Sequence, residues 1–227
     1  MMNFSEYECM QGNPDGSEPR PFLKWRFGVA MQMAFGFHFE QFRKRTSIPY
    51  IAHLMGVCAL VLEAGGDEDQ AVAALLHDAV EDQGGLPTLE TIRQVFGERV
   101  ARAVESCSDS TASKPGMKLP WRERKEKYLA HLRSADGDAL IVAAADKLHN
   151  VRAVLSDYRV LGDNVWKKFN APCEDQLWFY REMAEVLRST SAPKVLVDEL
   201  GRVINELERL INAPTRNTAT GDVRPSL

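Results

Sequence analysis

Four ionisable side chains close a strongly apolar segment of the sequence, AVAALLHDAVED at residues 71–82. They are His77, Asp78, Glu81 and Asp82. A helix with this much apolar surface is expected to be buried. Burying four ionisable groups is costly unless a metal ion or a substrate pairs with them. The segment therefore predicts the centre of a metal-dependent active site.

Helical spacing assigns these four residues to two adjoining faces. Residues four apart stack on one face of a helix, so His77 stacks with Glu81, and Asp78 stacks with Asp82 for the same reason. One small ion near the C-terminal end of the helix can then contact His77 and Asp78. The acidic pair lies one turn further on, over any substrate bound to that ion. A simpler explanation is that acidic residues near a helix end are only solvated, although the helix dipole disfavours negative charge there.

Two more isolated polar residues occur in apolar helices elsewhere in the chain. His53 comes early in a predicted helix at 50–64, and Asp146 follows seven apolar residues. Asn150, four residues after Asp146, points toward the same place. Taken alone, a buried histidine is more often a hydrogen-bonded core residue, and a buried aspartate can pair with an arginine. Two imidazoles and two carboxylates together form a mixed nitrogen and oxygen site that suits manganese, iron or zinc better than magnesium or calcium.

The elements that must position these residues are helices. Apolar residues recur at helical spacing and no run alternates as a strand does, so we predict an all-α fold with a single domain. The first predicted helix covers residues 22–45. Asp67 is expected to cap the helix that carries the His77–Asp82 stretch, and a second very apolar helix is predicted at 138–155.

Composition excludes several other classes of protein. The chain has 227 residues and a formal net charge of -4, which gives no global case for nucleic-acid binding. No apolar run is long enough to span a bilayer. The polar N-terminus lacks the features of a signal peptide, so we expect a cytoplasmic protein. The four cysteines form no CxxC pair, so neither a zinc–thiolate site nor a disulfide scaffold is indicated.

The order of His53, then His77-Asp78, then Asp146 resembles the signature of HD-domain metal phosphohydrolases. Longer stretches are similar to the hydrolase domain of the RelA/SpoT homologues and to small alarmone hydrolases of the Mesh1 type. These stretches are HFEQFRK (38–44), PYIAH (49–53), LLHDAVED (75–82), FG (96–97) and ADKLHNVR (145–152). The resemblance covers roughly residues 24 to 155 and implies an HD-domain helical bundle.

The resemblance also implies a reaction and its residues. It implies removal of the 3′-pyrophosphate of guanosine tetra- or pentaphosphate (ppGpp or pppGpp), which gives GDP or GTP and pyrophosphate. An adenine-based alarmone is the other substrate to be considered. The implied roles are manganese binding by His53, His77, Asp78 and Asp146, action on water and pyrophosphate by Glu81 and Asp82, and substrate contacts by Arg43, Lys44 and Asn150. Without the neighbouring motifs, the basic pair Arg43 and Lys44 would be interpreted as part of a solvated turn.

Other interpretations stay open at this point. The chain is either a hydrolase of such alarmones, an HD phosphohydrolase acting on another nucleotide, or a non-catalytic nucleotide sensor on the same fold. The basic helix predicted at 121–133 either brings Lys118, Arg122, Arg124 or Lys125 to substrate phosphates or is a surface helix with charge pairs such as Glu123–Lys127.

The predicted organisation places one hydrolase domain between less ordered ends. We expect a flexible arm at 1–20, the HD-type hydrolase domain at 21–190, a C-terminal helix packed on it at 191–213 and a disordered tail at 214–227. The expected partner is a small-molecule nucleotide, with no nucleic acid and no membrane. The C-terminal third is expected either to pack on the core or to form the face of a homodimer.

Overall fold

The computed structural model of the chain describes residues 23–108 and 119–213. These residues form ten α-helices and one 3-10 helix. The α-helices are α1 (Trp25–Phe37), α2 (Ile51–Glu63), α3 (Glu68–Leu76), α4 (Ala79–Asp82), α5 (Leu86–Phe96), α6 (Glu98–Cys107), α7 (Trp121–Leu132), α8 (Gly137–Leu161), α9 (Cys173–Arg188) and α10 (Lys194–Ile211). The 3-10 helix covers Gly162–Lys168. The described residues contain no strand beyond an isolated bridge between Phe42 and Pro49, so the all-α prediction is confirmed.

Some predictions concern residues outside the described ranges. They are the flexible arm at 1–20, the disordered tail at 214–227 and any role for Lys118. The division of the chain into those segments and a domain at 21–190 stays a prediction. Within the described ranges, no helix combines the length and the apolar character needed to cross a membrane.

The centre of the fold is formed by α3 and the first half of α8. Residues 71–76 of α3 and 139–145 of α8 are almost completely shielded from solvent. α3 packs against α1, α2, α6 and α8, and α8 packs against α2, α6, α9 and α10. Many of the buried residues in both helices are alanines, so neighbouring helices can approach from several sides. Polar residues that follow these apolar runs are therefore brought into the interior.

Local caps fix where these two central helices begin. The Asp67 side chain accepts from the amide of Gln70, and the Gln70 side chain accepts from the amide of Asp67, which completes a capping box for α3. The predicted cap at Asp67 is therefore present. Asp136 accepts from the amide of Ala139 at 3.0 Å and starts α8 in the same way.

The first helix is shorter than the predicted 22–45. α1 ends at Phe37, and the chain then forms a loop in which the Arg43 amide donates to the Ile48 carbonyl at 2.8 Å. Beyond Phe37, the helical apolar period that suggested a longer helix was supplied by Phe42, which is 54% exposed. Because this ring does not face the core, packing does not extend the helix.

The second apolar helix is longer than predicted. α8 continues past the predicted end at Leu155 to Leu161, where Gly162 ends it with a positive φ of 55°. The 3-10 helix that follows was not predicted. α10 lies against α8 and α9, so the C-terminal third packs on the core.

Candidate metal centre and substrate cavity

A turn at His77 and Asp78 separates α3 from α4. The sequence predicted one continuous helix here, and that prediction is wrong, although both residues keep right-handed helical torsion angles. The carbonyl of Ala74 is the helical partner of the amide at position 78. It also lies 2.8 Å from Nδ1 of His77, so a side chain competes with the backbone for this acceptor. The turn leaves the two side chains at the end of a buried helix.

The side chains of His53, His77, Asp78 and Asp146 converge on one small volume. Nε2 of His53 lies 3.4 Å from Oδ2 of Asp78 and 3.3 Å from Oδ1 of Asp146. Nε2 of His77 lies 3.0 Å from the same oxygen of Asp78 and 3.6 Å from the same oxygen of Asp146. The ligand atoms of His53, His77 and Asp146, all buried, lie within 4.8 Å of one another. Two helices, α2 and α8, and the turn between α3 and α4 thus supply the cluster.

Hydrogen bonds on the outer nitrogens orient both imidazoles. Nδ1 of His77 lies against the Ala74 carbonyl, so it carries the proton and leaves Nε2 as an acceptor. Nδ1 of His53 lies 2.9 Å from Nδ1 of His149. Burial, followed by His53 and Arg43, lowers the pKa of His149 to about 4, so His149 is neutral and can accept from His53. Both Nε2 atoms then point into the cluster, where they can bind a metal ion.

The two carboxylates are also held in place. The Tyr50 hydroxyl donates to Oδ2 of Asp78 at 2.6 Å. The Asn150 amide donates to Oδ1 of Asp146 at 2.5 Å, and Lys147 forms an ion pair with the other oxygen. Burial opposes ionisation of both carboxyls. The Lys147 ammonium group outweighs burial at Asp146 and holds the pKa of that carboxyl well below its usual range.

The cluster fits a divalent metal ion. Nε2 of His77 is buried and makes no hydrogen bond within the described parts of the chain, although a carboxylate oxygen of Asp78 lies 3.0 Å away. Imidazole lone pairs and anionic oxygens that point at one another need a cation among them. Two nitrogen and two oxygen donors match the preferences of manganese, iron and zinc.

The acidic pair lies on the short helix α4. Glu81 is half-buried and Asp82 is exposed, one turn after Asp78. Oδ2 of Asp82 accepts from Nε2 of Gln41 at 2.7 Å. Oε1 of Gln41 lies 2.6 Å from Nδ1 of the buried His38 and accepts from Gln83, so the orientation of the Gln41 amide is fixed. This arrangement holds the Asp82 carboxylate beside the cluster.

A cavity of about 570 Å³ opens next to the metal cluster. This volume is in the range of small-molecule binding sites. Its wall includes Tyr50, which binds Asp78, and Asn150, which binds Asp146. Six cationic side chains line it: Arg43, Lys44, Arg124, Lys125, Lys147 and Lys168. The cavity therefore favours an anionic ligand.

The three predicted substrate residues all line this cavity. Nη2 of Arg43 donates to Oδ1 of Asn150 at 2.7 Å, which connects the basic pair to the metal ligand Asp146 through one amide. The guanidinium of Arg43 also lies over the Tyr50 ring, 5.7 Å from its centroid. Arg43 and Lys44 are thus wall residues of the cavity as well as residues of a turn.

The basic helix α7 borders the cavity with one face and forms surface charge pairs with another. Arg124 and Lys125 line the cavity. Arg122 instead lies over the Trp178 ring and pairs with Glu126 and Asp175 on the surface. The surface pair between Glu123 and Lys127 is also formed, at 3.0 Å. The predicted surface pairs are therefore confirmed, and contact of Arg124 or Lys125 with substrate phosphates stays a prediction.

The HD domain family matches residues 30–171, which is more than half of the chain. The chain belongs to the HD domain family. A divalent metal site is a property of this HD domain, and His53, His77 and Asp146 are the residues that can form it. The predicted resemblance to HD-domain proteins is confirmed.

Curated relatives of this HD domain carry alarmone hydrolase names. The guanosine-3′,5′-bis(diphosphate) 3′-pyrophosphohydrolase MESH1 of Xenopus tropicalis is 40% identical over 118 residues, which is 51% of this chain and 62% of that protein. A probable guanosine-3′,5′-bis(diphosphate) 3′-pyrophosphohydrolase of Synechocystis is 31% identical over 147 residues, 65% of this chain and 18% of that protein. The chain therefore spans less than two thirds of either relative.

A solved structure agrees with these relatives. It is described as a metazoan orthologue of SpoT that hydrolyses ppGpp and plays a role in starvation responses. The HD domain chain superimposes on it with a TM-score of 0.67 and 25% identity, over 82% of this chain and 97% of that one. The predicted similarity to Mesh1-type and SpoT-type proteins is confirmed in sequence and in structure.

Several residues of the HD domain site were not singled out from the sequence. They are His38, Gln41, Tyr50 and His149. Each falls inside a stretch that carried the family resemblance, yet none interrupts a long apolar run. Their contacts join residues distant in the chain, such as Tyr50 with Asp78 and His53 with His149. Sequence spacing alone does not reveal such pairs.

Proposed function

We propose that this protein is a divalent-metal-dependent hydrolase that removes the 3′-pyrophosphate of ppGpp, pppGpp or a related purine alarmone. The products are GDP or GTP and pyrophosphate. The observation that carries the proposal is a strongly cationic cavity that opens directly beside a two-histidine, two-aspartate cluster. The names of the curated relatives support the same reaction.

The proposed metal ligands are His53, His77, Asp78 and Asp146, with manganese preferred over iron or zinc. A bound divalent ion supplies Lewis acidity toward a phosphoryl oxygen and lowers the pKa of water. Asp78 belongs with the other three because its Oδ2 lies 3.4 Å and 3.0 Å from the two Nε2 atoms. Loading the chelated protein with each metal in turn tests the preference.

Glu81 and Asp82 are the proposed catalytic pair. A carboxylate beside the reacting phosphorus can take a proton from the attacking water. Gln41 donates to Oδ2 of Asp82 and so helps to orient this carboxylate. Glu81, one residue earlier on α4, acts on the same water or on the leaving pyrophosphate.

The cationic wall holds the substrate. Arg43 offers a planar guanidinium suited to bidentate contact with phosphate or stacking on a base, and Lys44 offers a point charge. Asn150 lies between Arg43 and the metal ligand Asp146, where the nucleotide meets the cluster. Arg124 and Lys125 on α7 border the same space and contact the substrate's other phosphates.

The central experiment is turnover by the metal-loaded protein. Chelated protein is loaded with manganese and incubated with ppGpp, pppGpp, ppApp and nucleoside monophosphates, and the products are separated by anion exchange. We expect GDP or GTP and pyrophosphate. If the protein hydrolyses nucleoside monophosphates but none of the three alarmones, it is an HD phosphohydrolase with a different substrate. Nucleotide binding without turnover of any compound makes it a sensor.

Variants of the acidic pair test the catalytic roles. Asp82→Asn and Glu81→Gln keep the shape of the side chains but remove the base. We expect kcat to fall on the order of 10²- to 10⁴-fold while metal content is unchanged. Retention of full kcat by both variants contradicts the assignment. Homodimer formation and a cytoplasmic location remain predictions, and light scattering of the purified protein decides the first.

A further inference from the structure

One face of α8 connects the metal cluster to the cavity wall. Asp146, Asn150, Ala153 and Asp157 follow at spacings of four, three and four residues, which keeps them on the same side of the helix. Asn150, Ala153 and Asp157 all line the cavity. At about 1.5 Å of rise per residue, Asp157 lies roughly 16 Å along the axis from Asp146. The face therefore runs from the metal ligand to a carboxylate well away from it.

Asp157 is paired with Lys168 at that position. Nζ of Lys168 lies 2.8 Å from Oδ2 of Asp157, and both residues line the cavity. The side chains are 41% exposed for Asp157 and 17% exposed for Lys168. The pair joins α8 to the 3-10 helix and presents a carboxylate and an ammonium group side by side.

The charge of Asp157 is unusual for this wall. Among the described residues that line the cavity, it is the only acidic one, whereas six are cationic. A carboxylate repels phosphates, so it weakens binding of a polyanionic substrate unless it contacts a part of that substrate that donates hydrogen bonds. In a nucleotide, the part rich in N–H donors is the base.

We propose that Asp157 and Lys168 bind the base of the substrate and select guanine over adenine, an inference that rests on the proposed nucleotide hydrolase function. Guanine presents its N1–H and N2 amino donors side by side, next to the O6 acceptor. The Asp157 carboxylate can accept from both donors, and Lys168 can donate to O6. The small side chain of Ala153 leaves room for the nucleoside between this pair and Asn150.

Adenine presents the opposite pattern at the same edge. Its N1 is an acceptor and faces the Asp157 carboxylate, while its N6 amino donor faces the Lys168 ammonium group. Both contacts are unfavourable, and the charged pair loses water without gaining hydrogen bonds. A site built on hydrogen bonds to one base therefore rejects the other strongly.

The test is the base preference of the Asp157→Asn variant. An amide offers one acceptor and one donor, which matches adenine N6 and N1 better than the two donors of guanine. We expect kcat/KM for ppGpp to fall on the order of 10- to 100-fold, mainly through KM, and kcat/KM for ppApp to rise. An unchanged ratio of the two values shows that the pair only ties the 3-10 helix to α8.

The matched control is Asp175→Asn. Asp175 is 39% exposed and pairs with Arg122 outside the cavity, so its loss should leave the base preference of the protein as it was. Calorimetric binding of GDP and ADP separates the two proposals. If the wild-type protein turns over neither alarmone, the proposed function falls. Equal affinity of the wild-type protein for GDP and ADP, or a GDP-to-ADP ratio that Asp157→Asn leaves unchanged, overturns the base assignment.

Discussion

At the residue scale, the metal cluster depends on a histidine that does not face it. His149 lies behind His53, and the contact between their Nδ1 atoms, 2.9 Å long, directs Nε2 of His53 toward the carboxylates. Gly56 makes room for this ring. A Cβ atom at Gly56 would lie 2.3 Å from Nε2 of His149, which is too close for any real contact. One glycine on α2 therefore permits the orientation of a metal ligand on the same helix.

We predict that Gly56→Ala weakens metal binding. The new methyl group forces the His149 ring away, so His53 loses the partner that fixes its orientation. We expect manganese affinity measured by calorimetry to fall on the order of 10- to 100-fold. Alanine favours a helix interior more than glycine does, so a loss of helix stability cannot explain the change.

Gly28→Ala on α1 is the matched control. A Cβ atom there meets no other heavy atom within 4 Å, so metal affinity should stay at the wild-type value. His149→Ala should reproduce the effect of Gly56→Ala. Wild-type affinity in both Gly56→Ala and His149→Ala contradicts the positioning role.

At the element scale, one arginine connects the starts of the two central helices. Arg99 on α6 binds Asp67 at the cap of α3 and Asp138 in the first turn of α8, each at 2.7 Å. It also lies 3.4 Å from Asp69. Gln70 on α3 donates to Asp138 at 2.8 Å and completes the link. Because α3 leads to His77 and α8 carries Asp146, these contacts of Arg99 and Gln70 help to set the distance between the proposed metal ligands.

We predict that Arg99→Met destabilises the fold by about 1 kcal/mol at neutral pH, a modest amount because Arg99 is 43% exposed. Hydrogen bonding to Arg99 lowers the pKa of Asp138 below its ordinary value. The stabilisation is therefore present above that ordinary value and is lost as the pH falls through the lower pKa of the folded protein. Urea unfolding should show an equal difference at about pH 7 and 5, and a smaller one below about pH 4.

Arg93→Met provides the comparison for this prediction. Arg93 on α5 pairs at the surface with Glu90 of the same helix and with Glu98 at the start of α6, and neither partner belongs to α3 or α8. Its loss should leave the urea midpoint nearly unchanged. Equal effects of the two substitutions at all pH values contradict a specific role for Arg99.

At the scale of the whole molecule, the metal site is a junction between separate parts of the fold. α2, the turn after α3, and α8 each bring residues that could bind a metal ion to one point. Without a cation, the negative charges of Asp78 and Asp146 repel each other beside two buried imidazoles. The metal bonds that would join the surrounding helices are then missing. Binding to the folded chain but not to the unfolded one raises stability by mass action.

We predict that chelation lowers the melting temperature and that manganese restores it. At a free concentration about 100 times the Kd, the ion contributes about 2.7 kcal/mol, if the unfolded chain does not bind it. Differential scanning calorimetry with and without a chelator measures the shift. Asp146→Asn should melt at the same temperature in both conditions. If neither the chelator nor manganese changes the melting temperature of the wild-type protein, the proposed metal site is contradicted.

The sequence by itself determined the helical class and the isolated polar residues. Ionisable groups that interrupt apolar helices, such as His77 and Asp146, carry their own signal because burying them unpaired is costly. Local helix capping was also predicted correctly from the sequence, as the Asp67 cap of α3 shows. Periodicity failed where packing did not support it: the exposed Phe42 extended the predicted first helix beyond Phe37.

Only the tertiary structure decided how separate segments meet. It broke the helix at His77-Asp78, placed His149 behind His53 and joined Gln41 to Asp82. It also brought Asp157 and Lys168, from a helix end and an unpredicted 3-10 helix, into one cationic cavity. These contacts depend on how helices pack and where each one ends. Local spacing along the chain fixes which residues share a face, but not which face of another helix they meet.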